Sequence, residues 1–316
     1  MDALSQVFED IHLKQTQYLY LEAQGQWAFE SEHQSAMITH IVLFGTAYVH
    51  FEGQASVLLN TGDMMIIPSG IKHHCSSHMV HQLVEPLKIE ALFQGLREDP
   101  IQVGQHDTNQ VENKSLIFTI KTQIDSIMAG PLIQALPTYL HIKSALNAQE
   151  PEWLRIGLYF VANETTHKQP GRHKIMDHVV SIMLIECVRE YINEINDENN
   201  WLNALTHPEL ANAFSAIHSQ PEQAWTVEKL AERCFMSRSK FANLFHEIVG
   251  EPPLAYLKQH RLRLASQYLR TGQLSIQQIA HHVGYSSETA FSQTFKKYFQ
   301  LSPSQYRQLH YAQQSN

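Results

Sequence analysis

The spacing of apolar residues divides the chain into a first half of predicted strands and a second half of predicted helices. In residues 1–100, short apolar runs at Ile38–Phe44, Ala47–Phe51 and Met64–Ile67 are separated by glycines. Short strands with turn residues about every 8–12 positions are typical of an antiparallel sandwich or barrel. Leu116–Ile120 adds a further strand, so we predict a β-rich unit that continues to about residue 125.

Beyond residue 126 the apolar positions follow the helical period. They run from Ile127 through Ile133 to Leu140, and again along Ile175–Ile195. We predict a loop at Asn163–Arg172, which contains a Pro-Gly pair, and a polar linker at Asn193–Asn200. Nearly everything after this linker is predicted to be helical.

The last 90 residues contain an internal repeat. Leu230–Ser237 corresponds to Ile279–Ser286, and after a one-residue offset two aromatic positions also match, Phe241 and Phe245 with Phe291 and Phe295. Each copy reads as a short helix, a tight turn and a second helix capped by Ser237 or Ser286. This is the pattern of a helix-turn-helix, whose second helix lies in the major groove of DNA.

The second helix of each copy carries polar residues on its predicted outer face. Candidates for base contacts are Ser239, Lys240 and Asn243 in the first copy and Ser287, Glu288, Thr289 and Gln293 in the second. Candidates for phosphate contacts are Arg238, Arg263, Lys296 and Lys297. Between the copies, Pro253–Thr271 would form a helix of about 28 Å, which is comparable to the turn of DNA of about 34 Å.

Charge supports a polyanionic partner for the C-terminal end. The net charge is −8, but residues 1–220 carry 12 basic and 25 acidic residues, whereas residues 221–316 carry 11 and 6. The two parts therefore have net charges of −13 and +5, which sum to −8. A basic module behind an acidic one favours DNA as its partner.

Several motifs in residues 206–310 resemble the AraC/XylS family of bacterial transcription regulators. They are Trp225–Ala231, Gly250–Pro253, Val283–Ser287 and the ending Ser302–Arg307. The resemblance implies a double helix-turn-helix that binds promoter DNA, with RNA polymerase as a further partner. It places Ser239, Ala242 and Asn243, then Glu288, Thr289 and Gln293, at the base-facing positions. One departure is Phe235, which stands in the first turn where a small residue is common.

The N-terminal half resembles the cupin sensor found in one branch of that family. Gly62–His73 fits the pattern G-x5-P-x-G-x2-H, which is similar to the second cupin motif. The resemblance implies a barrel that receives a small-molecule effector, for which Trp27, His40 and His73 are the candidate residues. The first cupin motif, H-x-H…E, is broken, so we expect no cofactor. Should a metal bind, the candidate ligands are His33, His73 and His78.

The full interpretation is an α+β protein with three regions. Residues 1–170 form a cupin-like antiparallel β-barrel with flanking helices, 171–205 a helical linker and dimerisation region, and 206–310 an all-α domain with two helix-turn-helix motifs. We expect a cytoplasmic homodimer without enzymatic activity or membrane contact. An apolar stripe from Met176 to Val188 is either core or dimer interface.

Two alternatives stay open at this point. One is a metal-dependent cupin enzyme fused to a DNA-binding module, which would need tightly held metal and turnover of a substrate. The other is a DNA-binding protein with a degenerate barrel, whose DNA affinity no ligand would change.

Overall fold

The structure, a computed structural model, confirms the α+β class and divides the chain into two units. It describes residues 2–11, 14–33, 35–79, 84–93, 100–104, 114–143, 152–167, 169–195, 200–272 and 274–314. One unit is β-rich and comprises residues 13–126 and 136–194. The other is helical and comprises residues 1–12, 127–135 and 195–316. Among the described residues, no helix combines the length and the apolar character that a membrane crossing requires.

The described residues of the β-rich unit form two sheets. The strands are β1 (Lys14–Gln24), β2 (Ala28–Ser31), β3 (Ala36–Phe44), β4 (Thr46–Phe51), β5 (Val57–Asn60), β6 (Met64–Ile67), β7 (His73–Ser76), β8 (Leu87–Lys88), β9 (Ile101–Gly104), β10 (Lys114–Gln123) and β11 (Leu140–Ile142). The first sheet has the strand order β11-β6-β3-β10-β1-β9 and the second the order β5-β4-β7-β2-β8. A 3₁₀ turn, Glu90–Phe93, follows β8.

The core of this unit lies between the two sheets. Leu21 and Ile38 from the first sheet belong to the same buried cluster as Phe29 and Val49 from the second. Strand β3 is buried over most of its length, which explains its nearly continuous apolar sequence. The predicted strands at residues 38–44, 47–51, 64–67 and 116–120 are all confirmed.

Two helices complete the β-rich unit, α3 (Glu152–Thr166) and α4 (Arg172–Glu194). Side chains of α4, Val180, Met183 and Leu184, line a small cavity together with residues of the first sheet, among them Met64. The stripe from Met176 to Val188 is buried there, so it is core and not a free dimer surface. The Cα of Gly157 on α3 lies so close to Met183 that an added Cβ would be 2.9 Å from its side chain.

Two of the sequence predictions for this region need correction. The loop predicted at Asn163–Arg172 is shorter than expected, because α3 runs to Thr166 and α4 begins at Arg172. The prediction of a helix at Leu140 is wrong, since this residue lies in strand β11. The apolar run that ends at Leu140 is too short for its period to separate helix from strand. Pairing of Leu140 with Ile66 decides its conformation.

The helical unit is assembled from three segments of the chain. Its helices are α1 (Ala3–Ile11), α2 (Gly130–Ala135), α5 (Trp201–Thr206), α6 (Ala211–Ser219), α7 (Val227–Arg233), α8 (Arg238–Val249), α9 (Pro253–Thr271), α10 (Ile276–His282), α11 (Glu288–Phe299) and α12 (Pro303–Gln314). Helix α1 is not predicted by the strand-like reading of residues 1–100. It packs against α5 and α6, so the first residues of the chain belong to this unit.

Candidate nucleic-acid interface and sensor interior

The first helix-turn-helix consists of α7, a turn at residues 234–237, and α8. Thr226 and Ser237 cap the two helices, because their hydroxyl groups accept hydrogen bonds from the backbone N–H groups of Lys229 at 3.2 Å and Lys240 at 3.3 Å. The apolar face of α8 is buried through Phe241 and Phe245. This burial leaves the opposite face of α8 in solvent.

The second helix-turn-helix repeats this arrangement with α10 and α11. Ser275 and Gln278 form a capping box at the start of α10. The cap of α11 is Ser287 and not Ser286 as expected, since Ser287 Oγ accepts from the Ala290 N–H at 3.2 Å. Phe291 and Phe295 are fully buried in the core of this second copy.

Each of the two turns contains one residue with a left-handed backbone, but this residue is a glycine in one turn and a phenylalanine in the other. Gly284 has φ of +80° in the second turn, and Phe235 has φ of +55° at the corresponding place in the first. The Phe235 side chain is 93% exposed. Phe235, which stands where a small residue is common in the family, therefore places an aromatic ring in solvent beside α8.

The candidates for base contacts lie on the free faces of α8 and α11. All are exposed except Ala242, which is half-buried; the exposed ones are Ser239, Lys240, Asn243, Ser287, Glu288, Thr289 and Gln293. Ser287 also serves as the helix cap, so its hydroxyl group already accepts one hydrogen bond. These faces present hydrogen-bonding groups without a role in the core.

Four basic side chains flank these faces and are exposed. They are Arg238, Lys240, Lys296 and Lys297. Arg238 pairs with Glu228 at 2.7 Å and Lys240 with Glu209 at 2.6 Å. The hydrogen bond from Lys240 lowers the pKa of Glu209. Surface pairs of this kind contribute little to stability, so both cations can exchange their partner for a phosphate.

Arg263 is a correction to the predicted phosphate contacts. Its side chain is buried, with 7% exposure, and its guanidinium lies 6.0 Å from the centre of the Tyr256 ring. A cation that packs inside the helical unit does not reach a DNA backbone. The sequence missed this burial because Arg263 lies on the inner face of α9, among apolar neighbours distant in the chain.

Arg261 is a residue that the sequence analysis did not select. Its Nε donates to the Pro221 carbonyl and its Nη2 to the Gln223 carbonyl, both at 2.7 Å, in the segment before α7. The same guanidinium lies against the second turn, where an added Cβ on Gly284 would be 2.7 Å from Nη2. Arg261 of the connecting helix α9 thus contacts the turn of the second helix-turn-helix and the segment that leads into the first.

Inside the β-rich unit, two of the effector candidates form a buried polar chain. His40 Nδ1 is 2.9 Å from Thr119 Oγ1, the Nε2 atoms of His40 and His73 are 2.8 Å apart, and His73 Nδ1 is 2.7 Å from the Ile71 carbonyl. Since a carbonyl only accepts, His73 Nδ1 carries a proton, His40 Nε2 donates to His73 Nε2, and His40 Nδ1 accepts from the Thr119 hydroxyl.

Burial keeps both imidazoles neutral. It lowers the pKa of His73 to about 4, and it holds the pKa of His40 well below the usual range, with the neighbouring His73 as a smaller cause. Trp27, the third effector candidate, is buried and stacks on Phe29 with ring centres 5.9 Å apart. Within the described part of the chain, its indole N–H has no hydrogen-bond partner.

The metal candidates His33, His73 and His78 are not brought together. The possible metal-binding group around His73 consists, among the described residues, of His40, His73 and Cys75. Burial raises the pKa of the Cys75 thiol, and the two imidazoles already use their Nε2 atoms on each other. Two imidazoles and a thiol without a carboxylate do not reproduce the H-x-H…E set of metal-binding cupins.

Comparisons with known proteins cover both units. A family model described as Cupin matches residues 2–193, and one described as Helix-turn-helix domain matches residues 230–309. The chain is 53% identical over 308 residues to the HTH-type transcriptional regulator AlkR of Acinetobacter baylyi, which covers 98% of this chain and 99% of that protein.

Two further similarities are partial. The chain is 33% identical over 207 residues to the RCS-specific HTH-type transcriptional activator RclR of Escherichia coli K12, covering 66% of this chain and 73% of that protein. A solved regulator with an AraC-type DNA-binding domain from Chromobacterium violaceum is 30% identical and covers 34% of this chain and 96% of that one, with a TM-score of 0.32.

Proposed function

The chain belongs to the AraC family of transcription regulators with an N-terminal cupin domain, and we propose that it couples effector binding in the cupin unit to promoter recognition by two reading helices. The observation that carries the proposal is the pair of capped helix-turn-helix motifs whose second helices expose polar faces, joined by the 19-residue helix α9. At 1.5 Å per residue α9 is about 28 Å long, which suits two successive major-groove segments.

Two kinds of contact are expected at this interface. Asn243 on α8 and Gln293 on α11 have side-chain amides that can form paired hydrogen bonds with a base edge. Lys296 and Lys297 lie in the last turn of α11 and would contact phosphates, which adds affinity without sequence information. The two classes are separable by experiment.

The test is binding of the full chain to its own upstream DNA, measured by fluorescence anisotropy over a salt series. We expect Asn243→Ala and Gln293→Ala each to cost about 1–3 kcal/mol on the specific site and to relax discrimination there. Lys297→Ala should weaken binding to all DNA sequences alike, and it should reduce the slope of log affinity against log salt concentration by about one. Gln308→Ala, an exposed glutamine on α12, is the matched control and should bind normally. Equal losses on specific and random DNA for Asn243→Ala and Gln293→Ala would refute base reading.

We assign the cupin unit a sensing role instead of an enzymatic one. Its relatives are named as regulators, and the His40–His73 pair is engaged in its own hydrogen-bonded chain. The buried Trp27 N–H supports an effector that carries a hydrogen-bond acceptor. The alternative of a metal-dependent enzyme would require turnover that depends on His40 and His73. Because a transcription regulator must reach promoter DNA, we also expect the protein to be cytoplasmic.

A homodimer is part of the proposal, through a different surface from the buried α4 stripe. Ile156, Tyr159 and Phe160 on α3 and Ile182 on α4 are exposed by 42–68%. Large apolar side chains grouped on a helical pair favour a protein interface.

A further inference from the structure

Apart from helices α8 and α11 and the buried His40–His73 pair, a third group of polar side chains lies within the helical unit. Its three members come from distant positions in the chain. They are Asp10 on α1, His218 on α6 and His260 on α9, and their nearest ligand-type atoms all lie within 4.8 Å of one another. Asp10 Oδ2 is 2.8 Å from His218 Nδ1 and 4.0 Å from His260 Nε2. Asp10 is therefore hydrogen-bonded to His218 but not to His260.

His260 is the unusual member of the group. Its side chain is 1% exposed, and its Nε2 atom has no hydrogen-bond partner among the described residues. The separation of 4.0 Å from Asp10 is too long for a hydrogen bond. Buried polar atoms are nearly always paired, so an open nitrogen that points toward a carboxylate and a second imidazole indicates a missing partner.

Space for that partner is present but very small. A cavity of about 10 Å³ is lined by Asp10, His218 and His260, together with Tyr256 and Arg263. This is room for about one water-sized sphere, so an organic ligand is too large. A single ion fits the volume.

We propose that Asp10, His218 and His260 form a binding site for one divalent transition-metal ion of the Zn²⁺ class. Two imidazole nitrogens and one carboxylate oxygen are donors that such ions prefer. Ligand atoms about 2.0–2.2 Å from a tetrahedral ion lie about 3.3 Å from each other, between the 2.8 and 4.0 Å separations observed. Small shifts of the side chains would complete the geometry, and the fourth position would remain for water.

The hydrogen bonds around the cluster are compatible with a metal. Within the described part of the chain, His260 Nε2 has no hydrogen bond to give up when it binds the ion. His218 Nε2 is 2.9 Å from the Tyr256 hydroxyl group, which can orient the ring while Nδ1 faces the ion. When His218 binds the ion through Nδ1, its imidazole proton lies on Nε2, which then donates to the Tyr256 hydroxyl oxygen.

The positive charge of Arg263 lies beside the proposed ion and is partly neutralised by a nearby carboxylate. Arg263 lines the same cavity, and its guanidinium would repel a cation. Glu251, half-buried, interacts electrostatically with Arg263 and offsets part of that charge. An occupied site would fasten α1, which leads directly into the β-rich unit, to α6 and α9 beside the first helix-turn-helix.

The test is a titration of the metal-free full-length protein with Co²⁺, followed by visible absorption, with Zn²⁺ as competitor. We expect one Co²⁺ per chain in a four-coordinate spectrum without a sulfur-to-cobalt charge-transfer band, displaced by Zn²⁺. Asp10→Asn and His260→Gln should weaken Co²⁺ binding at least about tenfold. Asp10 is only partly buried, so Asp10→Asn keeps the test valid if His260→Gln does not fold.

Two controls separate this site from others. Glu9→Gln removes an exposed carboxylate from the same helix, and Cys75→Ser removes the thiol of the sensor interior; both should leave the titration unchanged. The proposal would be overturned if the titration showed no saturable binding of one Co²⁺ per chain. So would binding that survives Asp10→Asn and His260→Gln but is lost with Cys75→Ser.

Discussion

The turn of the first helix-turn-helix stores backbone strain that a single substitution should release. Phe235 has φ of +55°, a left-handed conformation that costs a residue with a Cβ about 1–2 kcal/mol. Its ring is 93% exposed, so it gains little from packing in return. The other copy of the motif has Gly284 at this place, with φ of +80°.

We therefore expect Phe235→Gly to raise the free energy of unfolding of the helical unit by about 0.5–1 kcal/mol. Relief of strain contributes about 1–2 kcal/mol, and the greater freedom of glycine in the unfolded chain removes about 0.5–1 kcal/mol of this. Loss of the exposed ring should change the result little.

The reciprocal substitution, Gly284→Ala, should do the opposite. Alanine would take on the left-handed strain, and its Cβ would lie 2.7 Å from Arg261 Nη2 and 2.8 Å from the Glu222 carbonyl. We expect a loss of about 2–3 kcal/mol, since both neighbours are held in place.

The assay is urea unfolding of the full-length variants, followed by far-ultraviolet circular dichroism, with unchanged m-values as the check on comparability. A destabilisation of more than about 1 kcal/mol by Phe235→Gly would refute the strain argument, because it would mean that the ring makes contacts in solution. A neutral Gly284→Ala would refute the account of the second turn.

Three further predictions concern other parts of the chain. Arg261→Met should cost about 1–3 kcal/mol in urea unfolding, because two carbonyls lose a charged donor, and a neutral result would mean that Arg261 does not hold the segment before α7 against α9. His73 has a pKa lowered to about 4, so its contribution to stability is complete above about pH 6.5 and is lost as the pH falls toward 4, by about 3 kcal/mol in total. His73→Asn should flatten the pH dependence of unfolding in this window, and an unchanged slope would contradict the assignment. Tyr159→Asp and Ile182→Asp should convert a dimer to a monomer in sedimentation velocity, whereas an unaffected dimer would exclude the α3–α4 surface.

Local patterns in the sequence predicted most of the architecture. The positions of four strands followed from apolar runs between glycines, and the duplicated helix pairs followed from the repeat of Leu230–Ser237 in Ile279–Ser286. Such features depend on residues close together in the chain. The helix at Ala3–Ile11 was missed because its apolar positions become meaningful only when they meet α5 and α6.

Features that depend on distant residues could not be predicted. The burial of Arg263, the contacts of Arg261 with the segment before α7, and the pairing of His40 with His73 each require the folded chain. The meeting of Asp10 with His218 joins residues separated by 208 positions. No short motif marks these residues, because single basic or histidine residues at such positions are common on solvated surfaces.

The central claim is that two helices of one chain read two successive major-groove segments. Hydroxyl-radical footprinting of the full-length protein on its own upstream DNA tests it most directly. We predict, for each bound chain, two protected patches on one face of the duplex, about one helical turn or 10 base pairs apart. Asn243→Ala should weaken one patch and Gln293→Ala the other. A single patch per chain, or loss of both patches together in either variant, would contradict the account.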